Sequence, residues 1–171
     1  NMRDGEKEGS LLRVVDETVT PMGGRLLRSW LLNPLFDCEK IRQRQDAIGS
    51  LIEDAIKLSK IQNLLKEISD IERLTFRIGS GTANARDLLS LKNSLKILPE
   101  LKNIFQGYDN ERLQYLSEQI DVLSDIESVI GQAIADDPPF SLKDGGLIKK
   151  GFNQEIDELR EISGSGKDFI A

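Results

Sequence analysis

The sequence has no histidine, and its 171 residues include a single cysteine, Cys38. No disulfide can close within the chain, which fits a reducing compartment. The common zinc sites draw on several Cys and His, and Ser-type triads use His as their base. Both are excluded. Aromatic residues make up only 5%, so apolar volume comes mainly from Leu and Ile, which suits helix packing. No apolar run is long enough to cross a bilayer, and no signal-peptide pattern is visible. A surplus of positive charge is missing too. The net charge of -6 argues against a large nucleic-acid footprint over the whole chain, because phosphate binding is driven by clustered Lys and Arg. The expected location is cytoplasmic.

What is there is globular in character, with 39% hydrophobic and 30% charged residues. The length suits one domain of ordinary size with a real core. The chain opens on Asn1-Met2 and stops at "KDFIA", which reads as a piece of a larger protein.

The stretch "TVTPMGGRLLRSWLLNP", Thr18 to Pro34, carries the densest punctuation. Thr20 is a good N-cap and Pro21 suits the first helical position, where its missing N–H costs nothing. Met22, Leu26 and Trp30 recur every fourth residue, with Leu27 and Leu31 beside them, and this spacing predicts an apolar face with Trp30 largely buried. Asn33-Pro34 ends the helix. Gly23 and Gly24 each cost about 1 kcal/mol against alanine in a helix. Either they let another backbone come close, or they are tolerated small residues in a first turn.

Further stripes follow. Asp37 is placed to cap a helix with Ile41, Ile48, Ile52 and Ile56 inward, and a segment with Leu58, Ile61, Leu64, Leu65 and Ile68 comes next. "DIERLTFRIGSG" predicts a short helix stopped by Gly79 and Gly81. Asn84 is placed to cap a longer one holding Leu88, Leu91, Leu95 and Leu98, with Pro99 starting a new turn. Leu113, Leu116, Ile120 and Leu123 form one stripe; Ile126, Ile130 and Ile134 form the next. The Pro- and Gly-rich "ADDPPFSLKDGGLIKKGFN" is a loop, with room for short extended pairing around Leu147 and Ile148. Phe152, Ile156, Leu159 and Ile162 then share a helical face, expected to dock on the core or on another copy, and Phe169 and Ile170 continue it. Gly164 and Gly166 are expected to interrupt that helix. No βαβ alternation is visible. The predicted class is all-α, an irregular multi-helix bundle.

Charge is uneven. Residues 57–108 hold nine Lys/Arg against five Asp/Glu, and residues 109–171 hold six against fourteen. The basic residues are interspersed and lack aromatic partners, so ordinary solvated faces are the favoured reading over an anion site.

Motif tests for chemistry fail. "GSGK", Gly164 to Lys167, lacks the phosphate-loop glycine five positions before Gly166, where Glu161 stands, and the following Ser or Thr, where Asp168 stands. "GSGTAN" after Ile78 has no preceding strand for a dinucleotide fingerprint. Asp136 with Asp137, and Asp157 with Glu158, are neighbours that do not face each other on a helix. Cys38 has no His to activate it. Ser10, Ser29 and Thr75 have no identifiable base. No catalytic, cofactor-binding or metal-ligating residue is assigned.

The order of segments is more telling. "GSLLRVVDETVTPMGGRLLRSWLLNPL" resembles the start of the helical core domain in the MutS family of DNA mismatch-repair ATPases. Leu11, Leu12, Asp16, Thr18, Thr20, Met22, Gly23, Arg25, Leu26, Leu27, Trp30, Leu31 and Pro34 carry the match. "IRQRQDAIGSL" looks like the following family helix. Asp70, Glu72 and Arg73 in "ISDIERLTFRI", and Arg86, Asp87 and Leu88 in "NARDLLSLKNSL", resemble later signatures. "DGGLIKKGFNQEIDELREI" is similar to the handover from core to lever helix, through Gly151, Asn153, Glu155, Asp157, Glu158, Leu159 and Arg160.

The resemblance implies a helical core domain over residues 1–150 and, over residues 151–171, the start of a lever helix leading to a clamp domain absent from the sequence. It implies a role in coupling an ATPase domain to a DNA clamp, with no activity and no cofactor in this stretch. ATP and magnesium, mismatched duplex DNA, a homodimer and a MutL-type partner protein are expected for the full-length protein, together with the remaining domains of the same chain. The alternative reading is an independent helical interaction module.

Overall fold

The computed structural model describes residues 10–139, 143 and 145–170, with side chains as far as Ile162 and Ser163. Ten helices run through the described residues: α1 Leu11–Val15, α2 Pro21–Leu32, α3 Cys38–Glu53, α4 Ala55–Glu67, α5 Ile71–Gly79, α6 Ala85–Leu95, α7 Leu98–Gln106, α8 Glu111–Gln119, α9 Ser124–Ala133 and α10 Gln154–Ile170. The all-α class holds.

Short polar side chains start most of these helices, as their positions predict. Thr20 Oγ1 accepts from the Gly23 N–H at 2.9 Å, and Pro21 occupies the first turn. Asp37 caps α3. Asn84 and Asp87 form a reciprocal capping box on α6. Gly81, with φ +69°, lies just past the end of α5, in a backbone region that suits glycine.

The interior consists of two apolar clusters. One joins α5, α6 and α9 through Leu74, Ala85, Leu91, Leu95, Ile130, Ala133 and Ile134. The other joins α3, α4 and α8 through Ala47, Ile61 and Leu113, with Tyr108 from the turn before α8. Ser94 and Ser117, both fully buried, serve the backbone. Ser94 Oγ accepts from the Ser69 N–H and donates to the Ser90 carbonyl, and Ser117 Oγ donates to the Lys102 carbonyl. A single-residue bridge pairs Ile134 with Ile148, flanked by Ala135 N–H to the Leu147 carbonyl and Lys149 N–H to the Ala133 carbonyl. This is the extended pairing expected around Leu147 and Ile148.

Several faces differ from the periodicity. Trp30 is not buried: 41% of it is exposed, and Leu26 beside it is 51% exposed. In α3 the buried side is Ala47, with Leu51 packed against the cluster, while Ile48, Ile52 and, in α4, Ile56 point outward. Leu116 and Ile126 are also exposed, whereas Leu113 and Ile130 on the same stripes are buried. The reason is shared: a 3.6-residue period shows that a helix has an apolar face, but only neighbouring elements decide which apolar residues are covered. α10 departs twice. Phe152, Leu159 and Ile162 are exposed and do not pack on the core, and the helical backbone continues through Gly164 and Gly166 to Ile170. Phe169 and Ile170 lie outside the residues whose side chains are described.

Candidate functional site

The signature residues scattered along the sequence converge on one set of inter-helix links. Arg25 projects from α2 towards the start of α5. Its Nη1 and Nη2 donate to the two carboxylate oxygens of Asp70 at 2.8 and 2.7 Å, and its Nε donates to Glu72 Oε2 at 2.8 Å. Asp70 also caps α5, accepting from the Arg73 N–H, and Arg73 Nε lies 3.3 Å from its other oxygen. A planar guanidinium matches a carboxylate in this two-bond geometry, so the pair fixes orientation as well as distance. The Arg25 hydrogen bonds hold Asp70 down at about 2, against the opposing effect of its partial burial, with help from the Arg73 backbone N–H. In turn the Asp70 and Glu72 hydrogen bonds raise Arg25.

The links continue along the chain. Arg77 near the end of α5 reaches Asp87 in the first turn of α6 at 2.8 Å, and Asp87 is the same residue that completes the capping box. Arg86 Nε donates to the carbonyl of the buried Pro138, beyond α9. Lys149 Nζ, next to the Ile134–Ile148 bridge, donates to the Gly131 carbonyl and pairs with Asp136 at 2.7 Å, which lowers the Asp136 carboxyl. Arg160 in α10 donates to the Ile148 carbonyl at 2.8 Å and pairs with Asp157. Asp157 itself accepts from the Gly151 N–H at 2.6 Å. Gly151 has φ +86°, which an L side chain rarely adopts. Charged side chains thus step from α2 to α5, α6, the segment after α9 and the first turns of α10.

The crowding around Gly23 and Gly24 has a local cause. Asp16 Oδ1 accepts from both the N–H and the hydroxyl of Thr18, a pairing that lowers the Asp16 carboxyl. This folds residues 16–20 onto the first turn of α2. A Cβ on Gly23 would stand 2.9 Å from Thr20 Oγ1, and one on Gly24 would stand 3.2 Å from Thr18 Oγ1. What comes close to this glycine pair is the side chains of Asp16, Thr18 and Thr20, and not another backbone.

The residues weighed for catalysis are dispersed. Ser10 caps α1 and Thr75 Oγ1 donates to the Ile71 carbonyl. Cys38 is exposed at the start of α3. The "GSGK" run lies inside the helical backbone of α10, and "GSGTAN" follows a helix, not a strand. No group of three or more His, Cys, Asp or Glu is placed to hold a metal among the described residues. No helix among them is long and apolar enough to cross a membrane.

Several contributors had no sequence signal. Arg44 of α3 lies with its guanidinium 3.9 Å from the centroid of the Trp30 ring. Tyr108 is 6% exposed, and its hydroxyl is the buried side-chain polar atom without a hydrogen-bond partner among the described residues. It borders an open cleft of about 510 Å³ between the α3–α4 junction and the turn Gly107 to Asp109, which also includes Asp54 and Lys57. Ser94 lies beside Leu95 in α6, and nothing local announces its bond to Ser69.

The fold and its links define an all-α scaffold module whose helices are joined by two apolar clusters and by charged side chains that reach carboxylates or backbone carbonyls of neighbouring elements. The chain belongs to the MutS domain III family, whose sequence model matches residues 1–165. It is 46% identical over 171 residues to the DNA mismatch repair protein MutS of Symbiobacterium thermophilum, covering 100% of this chain and 20% of that protein. The MutS proteins of an Exiguobacterium species and of Pelotomaculum thermopropionicum are 43% and 45% identical over 169 residues each, covering 99% and 98% of this chain and 20% of each relative. The chain spans about one-fifth of the length of the curated relatives it matches.

Proposed function

We propose that this chain is the core and lever-start segment of a DNA mismatch-recognition ATPase, with residues 1–150 as the core and 151–171 as the start of the lever helix. Its work is mechanical. It transmits the nucleotide state of an ATPase domain to a DNA-gripping clamp, both lying in other parts of the longer protein. This segment holds no cofactor and performs no hydrolysis. ATP and magnesium are taken up elsewhere in the full-length protein, which works in the cytoplasm as a homodimer on mismatched duplex DNA and engages a MutL-type partner.

The observation that carries this reading is the run of charge links from α2 to α10, ending in the hold of Arg160 on the Ile148 carbonyl. Coupling between distant sites needs packed elements whose relative placement both sites bias. Close-packed helices transmit displacement, and directional hydrogen bonds from Arg25, Arg86 and Arg160 add fixed points of contact between elements.

The test uses the full-length protein carrying Arg160→Ala. The ratio of mismatch-duplex affinities with and without ATP measures the coupling. That ratio is expected to fall several-fold while ATP affinity in the absence of DNA stays unchanged. An unchanged ratio in a folded variant would remove this link from the coupling.

A further inference from the structure

The apolar interior is in two pieces, and the helices sort with it. The closely packed pairs α3–α4, α3–α8, α4–α7 and α7–α8 surround Ala47, Ile61, Tyr108 and Leu113, and form one lobe. The pairs α5–α6 and α6–α9 surround Leu74, Leu91, Leu95 and Ile130, and form the other. Side-chain bonds between helices follow the same division. Lys60 pairs with Glu100, and Ser117 Oγ donates to the Lys102 carbonyl, inside the first lobe. Arg77 pairs with Asp87, and Lys96 at the end of α6 with Glu127, inside the second. From the first lobe, Leu98 at the start of α7 packs against the second cluster.

The chain passes between the lobes at residues 68–70, 96–99 and 120–123, and each passage interrupts a helix. At the first, the Ser69 N–H is held by Ser94 Oγ of α6 and Asp70 caps α5. At the second, Lys96 and Ile97 keep helical backbone angles, but α6 ends at Leu95. Pro99 has no N–H to give the Leu95 carbonyl four residues back, so the helix cannot run straight through. At the third, Leu123 adopts φ +47° and ψ +44°, the one positive φ outside glycine among the described residues. Such a backbone persists only where its surroundings hold it. Here the Leu123 side chain packs on the second cluster and its N–H donates to Asp121 Oδ1, while Lys102 Nζ of α7 holds the Ile120 carbonyl. α2, which buries no residue, lies across the division: Arg25 holds Asp70 and Glu72 at the start of α5, and Trp30 lies against Arg44 of α3. Close-packed interiors shift as units and do not deform continuously, so displacement gathers where the packing is interrupted.

We propose that the core is itself jointed: the α3–α4–α7–α8 lobe pivots against the α5–α6–α9 lobe about residues 68–70, 96–99 and 120–123. Pro99 and the left-handed Leu123 are the give in two of these passages, and α2 is the strap that limits the swing. The proposal rests on the reading of this chain as the coupling segment of a longer mismatch-repair ATPase, and it locates the moving part of that coupling inside the segment.

The experiment measures spin-label distances in the full-length protein, with Cys38 and any other native cysteines replaced by serine. Asn103→Cys on α7 with Ser128→Cys on α9 spans the joint, and Gln45→Cys on α3 with Asn103→Cys stays within one lobe; all three positions are exposed. Adding ATP to the protein on mismatched duplex is expected to shift the spanning distance by on the order of 2 Å or more and to leave the other in place. Pro99→Ala is expected to cut that shift by about half, because alanine supplies the missing N–H and lets α6 run on into α7. A fixed spanning distance, in a protein whose mismatch affinity still responds to ATP, would overturn the joint and leave the functional reading standing. Equal shifts in both pairs would mean that the whole core deforms, and would also overturn it. An undiminished shift in Pro99→Ala would take the give away from that passage and overturn the proposal as stated. A parent protein whose mismatch affinity ignores ATP would instead remove the functional reading, and the joint with it.

Discussion

Arg25 and Asp70, 45 residues apart in sequence, meet through two parallel hydrogen bonds of 2.8 and 2.7 Å. Glu72 takes a third bond from the same guanidinium. The pair joins two helices that share no buried residue: α2 has none, and α5 buries Leu74 on its other contacts. With Met22 and Leu27 only half-buried, this charge pair adds a directional link to the modest apolar contact of α2.

This gives a pH dependence with a definite sign. Asp70 is held at about 2, below the ordinary value near 3.9 of an unfolded chain. A depressed carboxyl stabilises the fold above the unfolded value, and that stability is lost as pH falls through the folded value. Asp70→Asn keeps a capping oxygen but removes the charge. At pH 6 the variant should be less stable by on the order of 1 kcal/mol, allowing for solvent around the pair. The gap should close between about pH 4 and pH 2. Urea denaturation at pH 6, 4, 3 and 2 measures it, and a gap that persists at pH 2 would mean the charge is not its source.

Tyr108 offers a stabilising substitution. Its hydroxyl is buried without a partner, and burial pushes its pKa upward. Leaving a buried polar group unpaired costs about 1–3 kcal/mol. Tyr108→Phe retains the ring under Lys57 Nζ, 4.9 Å from its centroid. The variant should be as stable as the parent or more stable by about 1 kcal/mol. A loss of stability in thermal melts would reveal a partner for the hydroxyl.

Trp30 should behave as a surface residue in the 171-residue chain. Full burial would make Trp30→Ala cost about 3–5 kcal/mol. With 41% of the residue exposed and Arg44 stacked on it, the expected loss is about 1 kcal/mol, the scale of an exposed cation–π contact plus partial burial. Native emission should already lie to the red and respond to aqueous quenchers. Blue-shifted, unquenched emission from a monomer would contradict the exposure.

The 171-residue chain by itself should neither turn over nor tightly bind ATP, and should bind duplex DNA weakly, without preferring a mismatch. Titration of matched and mismatched duplexes at low salt decides the second point. A ten-fold preference, about 1.4 kcal/mol, would require a reading surface on these helices. Nucleotide turnover that survives removal of contaminants would sink the first.

Local chemistry was legible residue by residue. Thr20, Asp37 and Asn84 each begin the helix that their side chains predict, because a cap is a contact within three residues. Leu91, Leu95, Leu113 and Ile130 are interior, as their spacing requires. The family signature was legible for the same reason, since it is a linear order of residues. What went astray was the choice of covered face on α2, α3 and α10. Trp30, Ile48 and Leu159 satisfy an apolar period as well as the buried residues do.

The amino-acid sequence alone determined the all-α class, the capped starts of α2, α3 and α6, and the absence of histidine and disulfide chemistry, because these follow from residue type and from neighbours one turn away. The tertiary structure decided that Arg25 finds Asp70, that Arg160 finds the Ile148 carbonyl, and that Ser94 finds the Ser69 N–H. Periodicity carries no address across 12, 25 or 45 residues of intervening chain. Partners so far apart are chosen only once helix packing has brought their donors and acceptors within about 3 Å, where a directional bond outweighs hydration.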